Sequence, residues 1–238
     1  MKYNQVVEGV FIERPNRFVA KVKIDEIIET VHVKNTGRCR ELLIPGSRVF
    51  LSKASNPNRK TAYDLISVYK ENALGIKGGN PLLVNIDSQV PNTVFEEYVG
   101  AGHFLPGVLK IKREATYGNS RLDFYIETKD KQIYVEIKGA TLEVEGKTMF
   151  PDAPTERGIK HINELIKAVE AGYDAYIVFV IQMAGTHSFS PNRKMHPEFA
   201  HALKVAHEVG VNILALECVV TPDSLTINPE TKNIPIIL

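Results

Sequence analysis

The stretch Arg121-Leu122-Asp123-Phe124-Tyr125-Ile126-Glu127-Thr128-Lys129-Asp130-Lys131-Gln132-Ile133-Tyr134-Val135-Glu136-Ile137-Lys138 alternates apolar and polar residues on both sides of Lys129-Asp130. That period-two pattern predicts a β-hairpin closed by a two-residue loop. In that register Thr128 faces Lys131, Tyr125 faces Tyr134, Asp123 faces Glu136 and Arg121 faces Lys138. One face then carries Arg121, Asp123, Tyr125, Tyr134, Glu136 and Lys138, while Leu122, Phe124, Ile126, Ile133, Val135 and Ile137 form the other. The second face is core.

The first face sets two carboxylates opposite each other, at Cβ distances of roughly 4.5–5.5 Å where like charges destabilise a sheet. A hard divalent cation offsets that repulsion, because Mg²⁺ is commonly held by one or two carboxylates, waters and phosphate oxygens. Lys138, on the same face, can orient water or stabilise developing charge. Together Asp123, Glu136 and Lys138 suit phosphodiester hydrolysis with Mg²⁺ or Mn²⁺. The simpler reading is a solvated polar face on which Arg121 and Lys138 neutralise Asp123 and Glu136, each exposed pair contributing about 0–1 kcal/mol.

Outward from the hairpin the period changes. Pro91 to Ala101 places Val94, Phe95, Tyr98 and Val99 at helical spacing, and Gly107 to Ala115 reads as a strand. On the other side Thr155 caps a helix to Ala171, with Ile159, Ile162, Leu165, Ile166 and Val169 on one stripe. Ala175 to Gln182 is an apolar strand, Pro197 to Val209 a helix and Val211 to Cys218 a buried strand. The order αβββαβαβ predicts an α/β domain with a mixed sheet.

The first third is different. Val6 to Glu13, Arg17 to Asp25, Ile28 to Val33, Ser47 to Ala54 and Thr61 to Glu71 are β-rich runs bounded by Pro, Gly and Asn clusters. Five strands without a long helix predict a small closed barrel, OB-fold in preference to SH3-like. Leu74 to Pro81, with Gly75, Gly78, Gly79 and Asn80, breaks the pattern and reads as a linker. The expected domains are therefore 1–80 and 81–238. Charge supports the split: residues 1–84 hold 14 basic and 8 acidic side chains, the remainder 15 and 20, although the chain totals 29 and 28.

Three longer segments join the hairpin in a resemblance. Asp123, a hairpin and then Glu136-Ile137-Lys138 resemble the signature of the PD-(D/E)xK nuclease superfamily, with Leu122 where its name places proline. Tyr117-Gly118-Asn119-Ser120-Arg121-Leu122-Asp123, Phe150-Pro151-Asp152-Ala153-Pro154-Thr155-Glu156-Arg157-Gly158-Ile159-Lys160-His161, and Asn35-Thr36-Gly37 with Glu41-Leu42-Leu43-Ile44-Pro45-Gly46 resemble the sugar fermentation stimulation protein A family along essentially the whole chain. Gly139 stands where many relatives carry serine. The resemblance implies an N-terminal all-β OB-fold barrel and a C-terminal α/β nuclease-like domain whose mixed sheet is flanked by helices. It also implies DNA binding with little sequence preference and a regulatory role in sugar (maltose) metabolism. A further metal-binding carboxylate from the preceding helix is implied as well. Helical periodicity leaves Glu96 and Glu97 equally placed, and the resemblance favours Glu97.

Candidate phosphate contacts are basic. Arg157, Lys160 and His161 share one face near a helix N-terminus, whose free N–H groups attract anions. Lys34, Arg38 and Arg40 follow the third barrel strand, Arg59 and Lys60 lie between the last two, and Arg121 flanks Asp123. Phe18, Phe50 and Tyr63 could stack on bases, against core packing as the ordinary role, and the chain has no tryptophan. Gln182 is a water- or substrate-orienting candidate or simply the polar end of its strand.

Several classes are excluded. The longest apolar run, Ala175 to Ile181, is far short of the ~20 residues that span a bilayer. Met1 to Pro15 holds no uninterrupted apolar segment of the kind a secretory leader needs. Cys39 and Cys218 sit outside any CxxC, so disulfide and thiolate-zinc frameworks are not expected. No HExxH or similar histidine spacing occurs. The sequence predicts a cytoplasmic DNA-binding protein, single-stranded DNA included among its partners, with a metal-dependent nuclease site. The alternatives are a non-catalytic DNA-binding regulator and metal-dependent chemistry on a small phosphorylated molecule.

Overall fold

The computed structural model describes residues 1–35, 37–76, 81–231 and 233–238. The first unit contains β1 (Val6–Asn16), β2 (Val19–Ile24), β3 (Ile27–Val33), β4 (Arg48–Lys53) and β5 (Tyr63–Lys70). They run in the order β3-β2-β1-β4-β5, and parallel pairing of His32 with Asp64 and of Val33 with Leu65 joins the two ends. That closure makes the five-stranded OB barrel. Phe11, Ala20, Val22, Val31, Val49, Leu51, Leu65 and Val68 fill it. Strand β1 crosses the barrel closely at Gly9, where a Cβ would lie 2.6 Å from Val22 Cγ1. A sixth strand, β6 (Leu82–Asn85), pairs antiparallel with β5. The expected linker residues Gly78, Gly79 and Asn80, and with them the boundary at residue 80, lie outside the described residues, as does Thr36.

The second unit begins with α1 (Pro91–Gly100), followed by β7 (Val108–Tyr117), β8 (Ser120–Thr128) and β9 (Gln132–Ala140). Next come β10 (Leu142–Val144), β11 (Lys147–Phe150), α2 (Glu156–Glu170), β12 (Asp174–Ile181) and β13 (Ser188–Pro191). Helix α3 (Pro197–Val209), β14 (Asn212–Thr221) and β15 (Ser224–Ile227) complete it. The main sheet has the order β15-β14-β12-β9-β8-β7 and is mixed, with β12 parallel to both β9 and β14. Strands β10, β11 and β13 form a separate small sheet that the sequence reading did not contain. At three or four residues each, they carry too little alternation to register as a period.

Local chemistry explains the helix ends. Thr155 Oγ1 accepts from Gly158 N at 3.1 Å, the N-cap expected for α2. Helix α3 stops at Gly210, whose φ of 111° suits a residue without Cβ. Cores lie on both sides of the main sheet. Helix α1 covers Phe124, Ile126, Ile133 and Val135, with Phe95 and Phe124 rings 5.4 Å apart, and α2 and α3 cover the other side. Cys39 and Cys218 are free and buried, and burial first of all pushes the Cys39 thiol up to about 12 and the Cys218 thiol up as well. Among the described residues no helix is long and apolar enough to cross a membrane.

Polar contacts tie the two units together. Lys70 Nζ on β5 donates to Glu143 Oε2 at 2.5 Å and to the Glu143 carbonyl at 2.7 Å. Gln182 Nε2 donates to Asn85 Oδ1 at 2.9 Å and to the Asp87 carbonyl at 3.0 Å. The Arg38 amide donates to Asp152 Oδ2 at 3.0 Å. The last of these docks a barrel loop on the segment that leads into α2.

Candidate active site

The β8–β9 ladder has the expected register, from Glu127 opposite Gln132 to Phe124 opposite Val135. It ends there. Beyond it Asp123 turns its carboxylate onto the neighbouring strand, Oδ2 accepting from the Ile137 amide at 2.8 Å. Oδ1 accepts from Asn92 Nδ2 in the first turn of α1, at 2.9 Å. Two donors from two elements therefore aim this side chain.

Glu136 is only 2% exposed. Its Oε1 accepts from Lys138 Nζ at 2.5 Å and meets His161 Nδ1 from α2. Its Oε2 is buried without a hydrogen-bond partner among the described residues. Burial alone would raise the Glu136 carboxyl, but the bonds from His161 and Lys138 outweigh it and hold the group below the ordinary glutamate range. Asp123 goes the other way: burial and then the Glu136 charge raise it, against the Ile137 amide and Asn92. The two groups are thus pushed apart, as coupled carboxylates in one site are.

The donor set fits a hard divalent cation. An orphaned buried carboxylate oxygen beside a second carboxylate is what such an ion satisfies, with waters and phosphate oxygens completing the shell. Among the described residues no group of three or more His, Cys, Asp or Glu side chains stands where it could hold a metal. Glu97 in particular is not brought to the site: its Oε2 bonds the Met1 amine at 2.6 Å, and Glu96 faces Arg113 at 3.4 Å. The helix sends Asn92 instead, and Glu97, five residues on, lies about 140° further round a 3.6-residue turn. Sequence reasoning missed Asn92, since a single Asn after proline is an ordinary helix-start residue.

The basic candidates divide. Arg38, Arg40, Lys60, Arg121, Arg157 and Lys160 are exposed, although Arg121 faces Glu114 at 3.4 Å and Lys160 Nζ donates to the Asn119 carbonyl at 2.9 Å. His161 is not on that surface. It is 6% exposed and points into the sheet at Glu136, because its place on α2 is shared with the buried Ile162 and Leu165 side of the helix.

Lys34 and Arg59 are not free for phosphate either. Arg59 clamps Asp64 with two bonds of 2.7 and 3.1 Å, and Lys34 Nζ lies 3.0 Å from Asp64 and 3.6 Å from Asp87. A buried aspartate recruited both. Arg14, which the sequence reading passed over, builds the loop that carries Arg38 by donating to the carbonyls of Arg17, Asn35, Gly37 and Arg38. With Arg17, Arg38 and Arg40 it lines a cavity of about 420 Å³.

Burial would raise Asp64, but Arg59, Lys34 and His32 together take it from 3.8 to about 2. A carboxyl depressed in the fold adds stability in full above 3.8 and loses it as the pH falls toward about 2. Asp64→Asn is therefore expected to flatten the acid limb of a melting-temperature profile in that window. An unchanged limb would contradict the assignment.

Of the aromatic candidates, Phe50 is core and Tyr63 partly buried, whereas Phe18 is 48% exposed with Arg17 over its ring at 4.8 Å. Gln182 is buried between the units. It also crowds Gly139, where a Cβ would run into Gln182 Oε1 and Pro91 Cγ. A side chain there would require Gln182 or Pro91 to move.

The two units have counterparts in known proteins. A family model described as the sugar fermentation stimulation protein RE domain matches residues 89–224, and one described as the SfsA N-terminal OB domain matches residues 12–75. The sugar fermentation stimulation protein homolog of Ruminiclostridium cellulolyticum is 51% identical over 98% of this chain and 99% of its own length. That of Desulfitobacterium hafniense (strain DSM 10664 / DCB-2) is 56% identical over 94% of both chains. A solved structure of Pyrococcus furiosus SfsA in complex with Ca²⁺ is similar with a TM-score of 0.86 and 32% identity, covering 100% of this chain and 98% of that one. A closed OB barrel followed by a restriction-endonuclease-like sheet, matched over the full length by these relatives, places this chain in the sugar fermentation stimulation protein family.

Proposed function

We propose that this protein hydrolyses phosphodiester bonds in DNA with the help of Mg²⁺ or Mn²⁺, residues 1–80 anchoring the nucleic acid and residues 81–238 carrying the site. The observation that carries the reading is the unpartnered Oε2 of Glu136 beside Asp123, with Lys138 within 2.5 Å of the same carboxylate. Asp123 and Glu136 would hold the ion, which would supply charge stabilisation at the phosphate and a more acidic water. The chain does the rest. Asn92 and the Ile137 amide hold the Asp123 carboxylate in place, and Lys138 Nζ donates to the attacking water or to a phosphate oxygen as negative charge grows there. Arg121, Arg157 and Lys160 neutralise the flanking backbone phosphates.

The Ca²⁺ in the Pyrococcus furiosus relative supports a divalent ion in this family. A non-catalytic DNA-binding regulator is the second reading, favoured by Lys138 and His161 already occupying Glu136 Oε1.

The test is incubation of plasmid, linear duplex and single-stranded DNA with wild type in Mn²⁺, with and without chelator, beside a melting curve. Cleavage that chelator stops is expected, together with a Mn²⁺-dependent rise in melting temperature that Asp123→Ala lacks. Intact substrates in every arm would leave the regulator.

The surface has its own expectation. Arg38→Ala with Arg40→Ala should lower DNA affinity and reduce the slope of log K against log salt by about 2, roughly 0.9 per lost phosphate contact. Arg59→Ala should leave the slope alone and lower the melting temperature, because Arg59 serves Asp64. Anisotropy titrations at several salt concentrations decide between them.

A further inference from the structure

The ring of His161 touches two groups of opposite kind. On α2 it sits four residues after Arg157, whose Nε lies 3.4 Å from His161 Nε2, and its Nδ1 meets Glu136 Oε1. A guanidinium nitrogen only donates, so Nε2 is the acceptor in that contact. The ring proton is then on Nδ1 and is donated to the carboxylate. The carboxylate, which only accepts, requires the same tautomer.

Glu136 Oε1 thus has two donors, Lys138 and His161, while Oε2 has none. If Lys138 were the sole partner, turning its ammonium toward substrate would leave an unpaired carboxylate inside the protein. Such a charge is costly to expose to a dry interior. With His161 in place, Glu136 keeps a charge-assisted bond when Lys138 turns away, and the same bond fixes the plane in which Oε2 is presented. Lys138 can make that turn, since its side chain is 16% exposed against 3% for Glu136.

We propose that His161 is a positioning residue: it grips Glu136 Oε1 so that Lys138 is released for the substrate while Oε2 stays available to the site. This rests on the hydrolase reading for the role of Lys138, but the grip itself is tested without any cleavage.

Two measurements suffice. In wild type, ¹⁵N–¹H correlation spectra of the His161 ring should show Nδ1 protonated and Nε2 bare. Calorimetry with Ca²⁺ alone should then show His161→Leu binding about 10–100-fold more weakly, the usual loss when a ligand's supporting partner is removed. His161→Asn should stay within a few-fold of wild type, because its amide N–H can take the place of Nδ1–H. Lys138→Met should also retain Ca²⁺, held by the histidine grip.

A wild-type ring protonated on Nε2, a His161→Leu variant binding Ca²⁺ like wild type, or wild type taking up no Ca²⁺ would each overturn the proposal. Should His161→Leu fail to fold, the spectra and the His161→Asn titration still decide it. Failure of the hydrolase reading shows separately, as wild type that grips Glu136 in this way yet cuts no DNA in Mn²⁺.

Discussion

Lys138→Met is expected to slow DNA cleavage by about 10²–10³-fold, the usual loss when one donor to a charge-developing oxygen is removed. DNA and metal binding should persist, because Arg38, Arg40, Arg157 and the two carboxylates remain. Asp123→Asn should behave differently. It should lose cleavage and metal-dependent heat together, while its DNA affinity without metal holds or rises, one negative charge near the phosphates having gone. Single-turnover rates with anisotropy and calorimetry on the two variants separate these outcomes. Loss of metal binding or a wild-type cleavage rate in Lys138→Met, or cleavage surviving in Asp123→Asn, would refute the assigned roles.

Lys70→Met should produce the largest stability loss. The Lys70 ammonium lies 2.5 Å from Glu143, whose side chain is 0% exposed, and it also bonds the Glu143 carbonyl across the junction of barrel and sheet. Removing one partner of such a pair leaves a buried charge uncompensated, at about 3–5 kcal/mol. Replacing both, Lys70→Met with Glu143→Leu, should recover part of that loss, because the uncompensated charge goes too. Glu143 Oε1 also accepts from the Gly146 amide at 2.5 Å, so recovery should be incomplete. Chemical denaturation of the single and double variants reads the difference. Equal stability of Lys70→Met and wild type would show that the pair does not clamp the junction.

The residues that were legible from the sequence share one property: their signal is local. The hairpin register from Phe124–Val135 to Glu127–Gln132, the five barrel strands, the Thr155 cap and the bounds of α3 all follow from period, turn residues and capping within one segment. The apolar hairpin face from Leu122 to Ile137 is buried throughout, as alternation requires. Strand β6 was lost behind a glycine-rich stretch, and β10, β11 and β13 were too short to show a period.

The sequence by itself determined the longer elements and the hairpin register from Glu127–Gln132 to Phe124–Val135, because neighbours along a strand and across a tight hairpin are set by backbone geometry alone. Only the tertiary structure decided the partners. A helical wheel placed His161 with Arg157 and Lys160, yet α2 lies across the sheet so that His161 reaches Glu136 while the other two stay in solvent. Glu96 and Glu97 were indistinguishable by period, and the docking of α1 presented Asn92 to Asp123 and gave Glu97 to the Met1 amine. Lys34 looked like a free loop cation until barrel closure brought the buried Asp64 beneath it. In each case the deciding neighbour is distant along the chain or set by how a helix docks, and side-chain pairing across such distances is fixed by packing, which no local period encodes.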